Sequence, residues 1–139
     1  MISALDTNIL LDILIPNPQW FAPSLASIQA AAQRGSLVVC DIVYAELCGH
    51  FRTQRECDAF LGESGIRIER ISQKAAFAAS EVWRQYRIAG GRRERILPDF
   101  LIGAHAVHEA SQLISRDAGF YRQYFSGLAV EDPAGQPAT

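Results

Sequence analysis

The chain has 139 residues, 49% of them hydrophobic and 20% charged, with a formal net charge of −2, a balance that belongs to a folded globular chain and excludes fibrous and disordered classes. It is long enough for one domain with its own core and too short for two ordinary ones. No window approaches the roughly 20 apolar residues that span a bilayer, and the run before Asp6 has no basic leader, so neither membrane insertion nor secretion is expected.

The near-neutral total hides a division of charge. Of the 13 basic residues 12 are arginine, and Arg84, Arg87, Arg92, Arg93 and Arg95 cluster ahead of Asp99. Guanidinium groups bring planar, two-pronged donors suited to phosphate. The three cysteines, Cys40, Cys48 and Cys57, lack a short metal-ligand spacing, and their odd number argues against a disulfide framework. A reducing, cytoplasmic setting is expected.

Residues 2 to 5 read as a short apolar strand ending at Asp6, with Asp6, Thr7 and Asn8 as caps of a helix opening at Ile9. Pro16 and Pro18 end that helix, and a second follows through Trp20, Leu25 and Ile28 to Gly35. Leu37 to Cys40 reads as a buried strand, and Asp41 as the cap of a helix carrying Val43, Glu46 and Leu47. Thr53 opens a helix ending near Gly65, and Ile66 and Ile68 alternate with charged residues as an exposed strand does. Ser72 caps a long helix from 73 to 89, closed by Gly90 and Gly91. Pro98 suits a first helical turn, so 99 to 110 is a helix. Leu113 and Ile114 form a strand, 117 to 124 a short helix and 128 to 130 the last strand. One domain over 1–132 is expected, with a flexible tail over 133–139. Strands alternating with helices predict an α/β fold with a mostly parallel sheet covered on both faces.

Such sheets place ligands beyond the carboxyl ends of their strands. Asp6 and Asp117 each follow a predicted strand, Glu46 lies on a helix after another, and Asp99 heads a helix. Hard divalent cations take carboxylate oxygens, and several like charges gather only where a cation offsets them. Converging, these four acids would make a magnesium- or manganese-dependent phosphodiesterase, Asp6 and Asp99 as direct ligands and Glu46 and Asp117 completing the set. Thr7 and Asn8 would orient a ligating water from behind.

Taken singly, Asp6 and Asp117 also serve as helix caps and Asp99 as first-turn charge. Glu46 stands among Tyr44, Ala45, Leu47 and Cys48, where an unpartnered charge is costly. Asp12, four residues from Asn8, reads as an exposed acid at the rim. His105 and His108 neighbour one another on a helix but lack a third soft ligand, so they read as packing histidines rather than a zinc site. Arg95 and Arg116, with Arg92 and Arg93, are candidates for holding a phosphate backbone, and Arg116 can alternatively pair with an acid. No Gly-rich phosphate loop, nucleophile elbow or DxD pair is present.

The segments MISALDTNILLDIL, DIVYAEL, ILPDFLIGAHA and LISRD, in this order, resemble the PIN-domain ribonucleases, most closely the toxin subunits of VapBC toxin-antitoxin pairs. The resemblance covers nearly the whole chain and implies a three-layer α/β/α sandwich around a five-stranded sheet. It also implies an endoribonuclease using Mg2+ or Mn2+ on tRNA, rRNA or mRNA. Its four acidic positions match Asp6, Glu46, Asp99 and Asp117. Asn8 stands where relatives often carry Ser or Thr, and Ser115, where many carry Thr, is a further polar contact to the acids. A homodimer and a cognate antitoxin follow from the same resemblance, the antitoxin tail lying over helices that carry Trp20, Phe51 and Phe60, residues that equally suit an ordinary core because periodicity does not distinguish an interface from an interior. Other readings of such a chain are an RNA-processing or DNA-flap nuclease and a noncatalytic binding module, though no acid has been lost.

Overall fold

The computed structural model describes residues 1–92 and 95–135. Among these the chain runs β1 (Ile2–Leu5), α1 (Thr7–Leu14), α2 (Phe21–Arg34), β2 (Ser36–Val39), α3 (Asp41–Cys48), α4 (Gln54–Glu63), β3 (Ile66–Ile68), α5 (Gln73–Ile88), α6 (Leu97–Glu109), β4 (Gln112–Ile114), α7 (Ala118–Tyr124) and β5 (Val130–Glu131). The strands form one sheet in the order β3-β2-β1-β4-β5, with every pairing parallel. Parallel strands need helical crossovers that cover both faces, and the result is the expected three-layer α/β/α sandwich.

β1 is central, with Ala4 in register with Val38 of β2 and Leu113 of β4. Val38, Val39, Leu113 and Ile114 are fully buried, as are Ile9 and Leu10 of α1, Leu47 of α3 and Phe100 of α6. Two polar side chains inside this sheet satisfy each other, since Gln112 Nε2 donates to Ser3 Oγ at 2.9 Å. Phe100 stands among Tyr86, Phe120, Tyr124 and Phe125 with ring centroids 5.2–6.5 Å apart, which ties α5, α6 and α7 together.

The predicted caps Thr53 and Ser72 accept from Glu56 N and Ala75 N at 3.2 and 3.1 Å. Gly90, with φ +82°, turns the chain after α5 in a conformation only glycine adopts without strain. Several boundaries differ from expectation, three of them with a visible cause. α1 begins at Thr7, because Asp6 Oδ1 already accepts Thr7 N at 2.8 Å. Asp41 is the first residue of α3 rather than its cap, and its carboxylate instead accepts Ile71 N at 3.1 Å. The last strand is Val130–Glu131, because register with Leu113 and Ile114 selects that pair while Leu128 is buried as packing.

Cys40, Cys48 and Cys57 are free thiols, with the Cys48 and Cys57 sulfurs 3.4 Å apart. Of the tail expected from 133, Pro133 is buried and Ala134 N donates to Asp132 Oδ1, while 136–139 lies outside the described residues. No helix among the described residues is long and apolar enough to cross a membrane.

Candidate acidic active site

Asp6 leaves the carboxyl end of β1 and is held there by its backbone N–H, which donates to Ile114 O at 3.0 Å. Its carboxylate is buried and takes Ser115 Oγ at 2.7 Å and Thr7 N at 2.8 Å. Burial raises its pKa above the usual carboxylate range, with the charge of Asp117 adding to the rise, while hydrogen bonds from Ser115, Thr7 N and the Tyr121 hydroxyl pull the other way. Such a carboxylate is short of positive charge.

Ser115, fully buried one residue past β4, organises this corner. Its hydroxyl donates to Asp6 and accepts Asp117 N at 2.9 Å, with Asn8 Nδ2 at 3.5 Å. Asn8 in turn accepts Arg116 N at 3.2 Å through Oδ1. The α1 N-terminus and the turn after β4 are thereby fixed to one another.

Asp99, half-buried in the first turn of α6, accepts Ile96 N at 3.1 Å. Burial raises its pKa; the bond from Ile96 N and the charge of Arg95 lower it, and Asp117 raises it. Asp117, just ahead of α7, is gripped by Arg95 through two hydrogen bonds, one of them Nη2 to Oδ1 at 2.9 Å. Asp6 and Asp99 each feel the charge of Asp117, and all three act on Tyr121, whose pKa is raised by burial and then by these acids.

Glu46 corrects one expectation. It is exposed rather than enclosed among apolar neighbours, because α3 turns Val43 and Leu47 inward instead. Thr7 Oγ1 donates to its Oε1 at 2.6 Å, and that contact links α3 to the residue following Asp6.

Asp12 corrects a second. Asp12 is buried, not a rim acid, and Arg116 grips it with Nε to Oδ2 at 2.8 Å and Nη2 to Oδ1 at 2.9 Å. Ser24 Oγ adds a third bond at 2.7 Å, and the guanidinium rests 5.1 Å from the Trp20 ring centroid. Arg116 therefore pairs with an acid, the alternative left open above. Arg92 is exposed in the loop before α6, and Arg93 lies outside the described residues.

Tyr121 is the residue that the sequence reading missed. It is 1% exposed and its hydroxyl reaches Asp6. The available signal was its place four residues after Asp117 on a short helix, a spacing that puts both on one face. Of the two histidines, His105 is buried and His108 is exposed, its Nδ1 3.0 Å from Ala104 O.

The donor set consists of hard oxygens without thiolate or imidazole, which suits magnesium or manganese rather than zinc. Among the described residues no three His, Cys, Asp or Glu side chains are arranged to hold a metal ion as they stand. The reason lies in their present partners: Asp117 is turned onto Arg95, Asp99 onto Ile96 N and Glu46 onto Thr7.

Comparison with curated protein sequences gives no match. The fold is that of chains in several solved complexes. One is VapBC2 of Rickettsia felis bound to a promoter DNA fragment, with TM-score 0.73 and 24% identity over 95% of this chain and 98% of that one. A second is VapBC-1 of nontypeable Haemophilus influenzae, with TM-score 0.72 and 21% identity over 96% and 98%. A third is FitAcB of Neisseria gonorrhoeae, with TM-score 0.70 and 21% identity over 97% and 99%. The PIN domain matches residues 4–126, a span that runs from the end of β1 through α7 and takes in Asp6, Glu46, Asp99 and Asp117, and the chain belongs to the PIN-domain family.

Proposed function

We propose that the chain is the toxin subunit of a VapBC-type pair, acting in the cytoplasm as a metal-dependent endoribonuclease. The observation that carries this reading is the buried Asp6 carboxylate, raised in pKa and hydrogen-bonded to Ser115 and Thr7 N, with Asp117 and Asp99 near and no Lys or Arg among the described residues paired with it. Asp6, Asp99 and Asp117, with Glu46 at the edge, would hold Mg2+ or Mn2+. Bound there, the cation lowers the pKa of an attacking water and offsets charge on the leaving oxygen.

The chain's own residues do the rest. Ser115 and Thr7 N fix the Asp6 carboxylate by two hydrogen bonds, so its direction is set before any ligand arrives. Tyr121 closes the site from beneath and keeps water off the buried side of Asp6. Arg95 supplies a positive charge at Asp117 that can face a phosphodiester, and Arg92, exposed in the loop before α6, adds to the basic approach. Partners under this reading are a cognate antitoxin, a second copy of the chain and single-stranded stretches of tRNA, rRNA or mRNA.

The test is incubation of the antitoxin-free protein with total RNA in magnesium, manganese or chelator, with fragment ends mapped beside an Asp6→Asn control. Discrete metal-dependent cuts absent from the control are expected. Intact RNA in every lane from folded protein, with DNA cut instead, would replace RNA by DNA as substrate; neither being cut would leave a binding role.

A further inference from the structure

Two recesses adjoin the loop between α5 and α6 and share Tyr86, Gly91, Arg92 and Arg95. One, of about 450 Å³, reaches Phe120 and Tyr124; the other, of about 500 Å³, reaches Trp83, Arg87 and Ile96. The acid chemistry at Asp6 uses neither. Arg95 connects them to the acidic cluster, since its guanidinium holds Asp117 and lies 4.3 Å from the Phe120 ring centroid.

The second recess is built rather than incidental. The Arg87 guanidinium lies 4.8 Å from the Trp83 ring centroid, so a cation and an aromatic plane form one platform. Trp83 is half-buried and packs on the core, which holds the platform still. Behind it, Gly91 lies against the Tyr86 ring so closely that a Cβ there would come within 2.4 Å of it. Gly91 N donates to Tyr86 O at 2.8 Å, and the Tyr86 hydroxyl donates to Arg92 O at 2.6 Å. The wall of the recess is thus fixed before a ligand enters.

A guanidinium lying over an indole ring, in a recess that Arg92 and Arg95 also line, suits a ligand with a π-face and an attached anion, since bases stack on guanidinium planes as they do on aromatic rings. A nucleobase carrying its phosphate has both. An acidic peptide would use the arginines and leave Trp83 unexplained. The volume accommodates about one nucleotide.

We infer that the recess formed by Trp83, Tyr86, Arg87, Arg92 and Arg95 is a nucleobase subsite that holds one unpaired base beside the phosphodiester at the acidic cluster. This rests on the nuclease reading for the phosphodiester only. The base contact stands on the platform itself.

The experiment uses the full chain carrying Asp6→Asn, so that binding is read without cutting. A single-stranded hexaribonucleotide is compared with an abasic ribose-phosphate hexamer of equal charge, following affinity and tryptophan emission. Removal of the bases is expected to weaken binding about tenfold, the order of one base stack. In Trp83→Ala or the surface variant Arg87→Ala the same comparison should give less than about twofold. Equal affinity for the two hexamers, or a base dependence untouched by both variants, would overturn the subsite. So would a hexaglutamate peptide that competes as well as the base-bearing hexamer and loses its hold in Trp83→Ala. Cleavage of the same hexamer by the unmutated chain with Mn2+ is measured in parallel: cutting without base-dependent binding removes the subsite alone, and base-dependent binding without cutting removes the nuclease reading alone.

Discussion

Arg95 and Asp117 meet through two parallel hydrogen bonds, one of them 2.9 Å from Nη2 to Oδ1, so a positive charge from the loop before α6 already sits on one member of the acidic cluster. The pair is 30% and 35% exposed, and its loss should cost the fold no more than about 1 kcal/mol. Replacing Arg95 by alanine should therefore leave the melting temperature within a few degrees of the parent while weakening RNA use. The slope of log affinity against log salt should flatten by about one phosphate contact. An unchanged slope would remove Arg95 from the phosphate.

Asp6→Asn retains an acceptor for Ser115 or Thr7 N and removes a buried charge whose pKa is raised. In chelator the variant should melt at or above the parent. Mn2+ at a hundred times its dissociation constant stabilises a binding fold by about 2.7 kcal/mol, so the parent should melt higher with manganese and the variant should not. A variant that gains as much from manganese as the parent would take Asp6 out of metal binding.

Asp12→Ala should unfold the chain far more readily than any change at the acidic cluster. The Asp12 side chain is 4% exposed and receives three hydrogen bonds from Arg116 and Ser24. Its removal leaves the Arg116 fork and the Ser24 hydroxyl without their acceptor, a loss of about 3 kcal/mol, or on the order of 10 °C in melting temperature. Chemical denaturation at neutral pH measures this directly. A shift below about 1 kcal/mol would show that Arg116 finds another partner.

His105 is buried with Nε2 unsatisfied, and burial lowers its pKa below 6.5, with the Glu69 carbonyl, Glu109 and Asp41 opposing. Because the unfolded chain takes up this proton first, the stability linked to neutral His105 is present above about pH 6.5 and is lost as pH falls below that value. Urea titrations between pH 7.5 and 5.5 should show the parent losing more stability than His105→Leu. Parallel losses in the two would assign the pH dependence to other groups.

What the sequence made legible was local. Ser72 and Thr53 cap the helices assigned to them because the cap hydroxyl bonds to an N–H three residues on, and strands β1, β2 and β4 fall within a residue or two of their apolar runs. The positions of Asp6 after β1 and Asp117 ahead of α7 were legible in the same way. Contacts across the sheet were not legible: Asp12 and Arg116 are 104 residues apart, and nothing in either neighbourhood distinguishes a buried pair from two solvated charges. Glu46 illustrates the reverse error, since apolar neighbours in sequence lie on another face of a helix turn. Tyr121 was hidden by chemistry rather than distance, because a phenol in a run of aromatics reads as core until its hydroxyl is seen to point at an acid.

The bond between Ser115 and Asp6 spans 109 residues and forms only after β4 has docked beside β1. At a synthesis rate of about 5–20 residues per second, Asp6 and Glu46 emerge several seconds before Ser115 and Asp117 exist. During that interval the growing chain holds half of its acidic cluster, with Asp6 lacking the hydroxyl that aims it. Under the proposed function, a ribosome making this protein is exposed to the finished blade only once β4 and the turn after it have been made.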